Sequence, residues 1–174
     1  TLGWVPSACM PGWDLLMPTL AAASRVATLW QGDNKQGWLA AENHHYGSVL
    51  CPDARIDPET APMVTENALE REEVFDRVVL GWMESVGPVT ADDLAARLGL
   101  AVCDVDGAML RLESQGHLLR GRFSVPASRT TGDVVEWCHR RLLARIHRLT
   151  VGRLRKEIEP VSAAEFMRFL FQWQ

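Results

Sequence analysis

Residues 87–125 read GPVTADDLAARLGLAVCDVDGAMLRLESQGHLLRGRFSV, and the order of signals within them decides the fold. Gly87 and Pro88 end whatever helix precedes them. Thr90 is then a good N-cap, with Asp93 three residues on in a capping-box-like arrangement. Leu94, Ala95 and Leu98 fall on one helical face, and Gly99 closes the helix. A further helix is expected over about Asp104–Gln115. It carries Val105, Met109 and Leu112 on one face and stops at Gly116. The run HLLRGRFSV (117–125) alternates as a strand does.

Working outward, the upstream run LEREEVFDRVVLGWMES (69–85) places Leu69, Val74, Val78, Val79 and Trp82 at helical spacing. Downstream, VVEWC (134–138) can return as the partner of the first strand after the polar tip PASRTTGD (126–133). Helix, short turn, helix, helix and β-ribbon is the order of a winged helix, and the short second turn meets the requirement of a helix-turn-helix. The fold class expected is α+β, mainly α, with the winged helix over residues 63–138.

Before it, Trp13, Leu16, Met17 and Leu20 have helical spacing that Pro18 should limit. Arg25–Gln31 and Gln36–Ala41 read as a β-hairpin around GDNK. The segment CPDARIDPETAP (51–62) holds three prolines and reads as a linker, so residues 1–62 form a small α/β hairpin unit. Trp4, Trp13, Trp30 and Trp38 could stack on bases, but packing in a small core is favoured. After the ribbon, residues 139–174 hold a basic amphipathic helix and a second apolar helix that opens with Ser162 and Glu165 as a capping box. The chain starts at Thr1, and Phe169–Gln174 still run in a helical apolar pattern, so a segment of a longer protein is expected.

The 174 residues are 47% apolar, and the formal charge of −4 hides an asymmetry. Residues 1–100 carry 6 Lys or Arg against 14 Asp or Glu, whereas residues 101–174 carry 12 against 8. The basic half fits a local phosphate-facing surface, or else neutralises the acidic half across an internal interface. No run is long and apolar enough for a membrane span and no signal segment is evident, so a cytoplasmic protein is expected.

Cys9, Cys51, Cys103 and Cys138 are widely spaced and read as reduced thiols. His44 and His45 near Cys51, and Cys138 beside His139, are poor metal clusters because adjacent side chains diverge, and no metal is expected. There is no GxxxxGK[ST] loop and no hydrolase motif, so neither a nucleotide cofactor nor a catalytic residue is assigned to this segment. Asp92 with Asp93, and Glu72 with Glu73, are solvated helix charges rather than catalytic pairs.

Binding is the stronger theme. In a helix-turn-helix the helix over 104–115 would enter the major groove, yet Asp104 and Asp106 repel phosphate, and Gly107, Ala108 and Met109 offer no donors. Arg111 and Gln115 remain as candidates late in that helix. The ribbon adds Arg120, Arg122 and Arg129, and the following helix adds Arg140, Arg141, Arg145 and Arg148. Such a set suits sequence-independent contacts to a DNA backbone. Whether the arginine-rich helix faces DNA or the acidic half of the chain is left open, and Trp137 is expected in the core.

The strings EWCHRRLLARIHRLTVGRLRKE (136–157) and EIEPVSAAEFMRFLFQWQ (157–174) resemble the stretch that follows the motor core in bacterial Lhr (large helicase-related) proteins. GWDLLMP, GWLAAEN and PDARIDP follow the family's order more loosely. The resemblance implies an ATP-dependent 3′ to 5′ DNA helicase acting in repair, with ATP and Mg at an upstream motor in the same polypeptide. It also implies DNA as partner. The family's C-terminal portion is similar to tandem winged-helix DNA glycosylases as well. The only look-alike of their Gln-x-Gln motif, Gln172 with Gln174, sits in an expected helix, so no catalytic role is carried over. The rival readings are a protein-interaction or homo-oligomerisation module and a scaffold for a glycosylase-like region.

Overall fold

The computed structural model describes residues 2–10, 12–57, 69–123, 135–158 and 160–173. The architecture is mixed α/β and mostly helical, with a four-stranded antiparallel sheet and a separate two-stranded pair. The chain divides into two compact units, Thr1–Leu142 and Leu143–Gln174.

The sheet runs in the order β1 (Trp4–Pro6), β3 (Asn34–Ala40), β2 (Val26–Gln31), β4 (Arg55–Asp57). The β2–β3 hairpin is where the sequence places it, and the turn is shortened to Gly32 and Asp33. The two outer strands differ from expectation. Arg55–Asp57 lies inside the proline-rich stretch read as linker, yet Ile56 pairs with Leu29 on the free edge of β2. Pro52 sits outside this three-residue strand, and an edge needs no donor on its solvent side, so the local proline density does not prevent pairing. The expected amphipathic helix near the start is also modified. A 3-10 turn spans Trp13–Leu15, and α1 (Met17–Ala22) begins afresh with Pro18 in its first turn. Met17 is buried there, while Leu16 and Leu20 are exposed.

Three helices follow: α3 (Arg71–Met83), α4 (Ala91–Leu98) and α5 (Val102–Ser114), with α2 (Tyr46–Leu50) lying earlier against α3. Thr90 caps α4 by accepting from the Asp93 amide at 3.0 Å, and its hydroxyl donates to the Asp93 carboxylate at 2.8 Å. Gly99 closes α4 in the left-handed region, at φ 67°, where a Cβ is penalised. The chain then pairs β5 (Leu118–Gly121) with β6 (Glu136–His139) in antiparallel register. The ribbon tip, with Arg129, lies outside the described residues.

One core spans the proline-rich stretch. Trp4, Leu29 and Leu39 from the sheet and Tyr46 from α2 pack in the same cluster as Val78, Trp82, Leu98, Met109, Leu118 and Trp137. The Trp82 indole donates to the Trp4 carbonyl at 2.8 Å, and the Trp4 indole donates to the Leu98 carbonyl at 3.1 Å. Sheet, α3 and α4 are thereby joined through buried hydrogen bonds as well as apolar area. Trp4, Trp38 and Trp137 are core residues, while Trp13 is exposed.

In the second unit, Ser162 and Glu165 form the expected capping box at the start of α7 (Ala163–Trp173). The Ser162 amide donates to Glu165 at 2.8 Å, and the Glu165 amide donates back to Ser162 at 3.3 Å. The rest of this unit is the C-terminal run of α6 (Arg140–Glu157). No described helix is long and apolar enough to cross a membrane.

Candidate functional site

A concavity of about 380 Å³ opens where α5 ends and α6 begins, lined by Gln115, Gly116, His117, His139, Arg140 and Arg141 against Leu80 of α3 and Glu84 just past its end. Its shape follows from one glycine. Gly116 has φ 75°, so the chain reverses as α5 stops, and His117 is fixed by its backbone amide, which donates a hydrogen bond to the Leu112 carbonyl at 2.9 Å. The other wall is tied to this turn. The Arg140 amide donates to the His117 carbonyl at 3.0 Å, and its guanidinium donates to the Gly116 carbonyl at 3.3 Å.

His139 is only 5% exposed and acts as the cap of α6, because its Nδ1 accepts from the Arg141 amide at 3.3 Å. An acceptor nitrogen must be unprotonated. Burial lowers the pKa of this imidazole, and the charges of Arg141, His117 and Arg140 act in the same sense against the opposing effect of Glu84. The unfolded chain therefore takes up this proton first as pH falls below the ordinary histidine value of 6.5, and native stability drops with it. Denaturant titrations from pH 8 to 5 should show stability falling on acidification. Asn at position 139, a good cap that does not titrate, should flatten that dependence. His45, also held low by burial, leaves a residual slope. Identical pH dependence in wild type and His139→Asn would remove His139 from this account.

The remaining candidates divide by location. Gln115, Arg140 and Arg141 meet in the concavity. On the ribbon, Arg120 lies 5.6 Å over the Trp137 ring and reaches Glu113 at 3.4 Å, and Arg122 is exposed. Arg145 and Arg148 are exposed residues of the second unit. Arg111 points elsewhere, holding Asp76 of α3 at 2.8 Å and the Glu72 carbonyl at 3.5 Å. Asp104, expected to repel phosphate, is neutralised by Arg71 at 2.8 Å. The two histidines of the concavity carry no sequence motif of their own. The adjacency of His139, Arg140 and Arg141 is the one local signal that points to them.

Other polar clusters are sparse. The Nε2 atoms of His44 and His45 are buried and find no hydrogen-bond partner among the described residues. Among the described residues no three His, Cys, Asp or Glu side chains gather in a metal-binding group. All four cysteines are free, and burial raises the Cys51 and Cys138 thiols above their ordinary value.

A protein of Mycolicibacterium smegmatis (strain ATCC 700084 / mc(2)155) described as "Lhr helicase/ probable uracil glycosylase" is 36% identical to this chain over 88 residues. The match covers 51% of this chain and 6% of that protein, so the chain corresponds to a small part of the relative's length. No family model and no solved structure matches. The relation to an Lhr-type helicase thus holds over half of the chain, and it is that of a helicase-associated region.

Proposed function

We propose that this chain is a non-motor DNA-binding segment of an Lhr-type ATP-dependent helicase acting in DNA repair, and that it grips backbone without reading sequence. The observation that carries this is the concavity at Gly116, where Arg140, Arg141, His117 and Gln115 converge at the start of an 18-residue helix. Helix N-termini and guanidinium groups both favour phosphate. The order α3–α4–α5–β5–β6 supports a winged helix. In this reading Arg120 and Arg122, with Arg129 at the ribbon tip, extend the contact along the wing. Arg145 and Arg148, exposed on the second unit, are candidates for phosphate contact in their own right. Arg111, already bonded to Asp76, contributes to the fold first and to DNA least. ATP and Mg belong to a motor elsewhere in the parent polypeptide, and the protein works in the cytoplasm.

The test is fluorescence anisotropy with labelled duplexes of unrelated sequence across a salt series. Affinity should be similar for every sequence and should fall steeply with salt. Arg140→Ala combined with Arg141→Ala should reduce the slope of log K against log salt by roughly 2, about one for each phosphate that is no longer neutralised. Absence of binding at about 50 mM salt, where phosphate contacts are strongest, would sink the reading. So would an unchanged slope in the double variant.

A further inference from the structure

The outer face of α5 is the surface a helix-turn-helix would lay in a major groove, and its chemistry is wrong for that task. Leu110 is 45% exposed there, and Val135 beside β6 is 46% exposed. Together with Ala91 and the Trp137 ring they line a concavity of about 550 Å³ between the start of α4, α5 and the ribbon. Its polar walls are the carboxylates of Asp92 and Asp106, neither of which has an ion pair or side-chain hydrogen bond among the described residues. Arg120, at the rim, already spends its charge on Glu113 and the Trp137 ring.

An apolar floor between these two carboxylates disfavours phosphate, and the donors at its edge, Thr90 and Arg120, are engaged with Asp93 and Glu113 rather than aimed at a base edge. It matches a partner of the opposite pattern, in which apolar side chains seat in the floor and flanking cations reach the carboxylates. The volume lies within the range of binding clefts that accept a few side chains. We propose that this groove docks a helical segment of another protein bearing Leu-like side chains flanked by Lys or Arg. The site uses none of the residues of the cationic concavity, so it stands or falls independently of DNA binding there.

The test uses the full 174-residue chain, ¹⁵N-labelled, and two synthetic 18-residue helical peptides with leucine at positions i, i+3, i+4 and i+7. One has lysine at its polar positions and the other has glutamate. The lysine peptide should bind, with shift changes concentrated at Ala91, Asp106, Leu110 and the Trp137 indole. The glutamate peptide should bind at least tenfold more weakly. Leu110→Glu and Asp106→Lys should each reduce lysine-peptide affinity at least tenfold while circular dichroism stays unchanged. Either variant that failed to fold would be replaced by Asp92→Lys, which sits at the exposed start of α4. Equal binding of both peptides, or shift changes centred elsewhere, would each overturn the proposal.

Discussion

Alanine in place of Trp82 is expected to lower the free energy of unfolding by about 3–5 kcal/mol, the range for removing a large buried aromatic side chain. Two losses combine. The indole fills the centre of the cluster shared by the sheet and α3–α5, and its removal leaves a cavity that close-packed neighbours fill only partly. Its N–H is also the donor to the buried Trp4 carbonyl, which would be left without a partner at a cost of about 1–3 kcal/mol in its own right. Trp82→Phe separates the two effects, since it keeps most of the apolar volume and orphans only the carbonyl. Because Thr1–Leu142 is one compact unit, far-ultraviolet dichroism and tryptophan fluorescence should report one coincident transition in both variants. A melting curve for Trp82→Ala superimposable on wild type would refute the account, as would separate transitions for sheet and helices.

The helices are legible because their signals are local. Thr90 and Asp93 cap α4, Gly99 and Gly116 end α4 and α5, and Ser162 with Glu165 starts α7, each signal lying within a few residues of the helix end it sets. β1 and β4 are not legible. Each has three residues, β1 includes Pro6, and β4 lies between prolines, so neither has an alternating pattern to read. They are strands because β3 and β2 offer them edges.

The site divides in the same way. That Arg140 and Arg141 are cations near the ribbon is plain from sequence, and that they meet Gln115 and His117 follows from the Gly116 turn and the adjacent helix start. That Arg111 is held by Asp76, 35 residues away, follows only from the packing of α5 on α3. The same packing decides which side chains α5 leaves exposed. With Arg111 turned to α3 and Asp104 paired with Arg71, Asp106 is half-buried and Leu110 exposed on α5, and Arg140 and Arg141 lie at the helix's C-terminal end. The proposed backbone grip and the proposed docking groove therefore centre on different surfaces of one unit.

Gly37→Ala should cost about 3 kcal/mol, at the upper end of overpacking effects, because backbone must move to make room for the added methyl. A Cβ at this position would fall on the Val5 carbonyl, 2.9 Å from the Pro6 Cα and 2.7 Å from the Trp4 ring. Two of those three are backbone of β1, which pairs with β3 at this point, Pro6 opposite Gly37. Glycine inside a strand marks such a close approach. The strand must shift to make room, and Trp4 shifts with it, so the damage passes to the indole bond to Leu98 and the carbonyl bond from Trp82. The variant should therefore lose the protected Trp4 indole proton in hydrogen exchange along with its stability. Gly87→Ala, where a Cβ meets open space, should stay within about 1 kcal/mol of wild type and serves as the control. If Gly37→Ala unfolds with wild-type stability and keeps the Trp4 indole protected, β1 is not the strut that couples the sheet to α3 and α4. The cooperativity expected of Trp82→Ala would then rest on apolar packing alone.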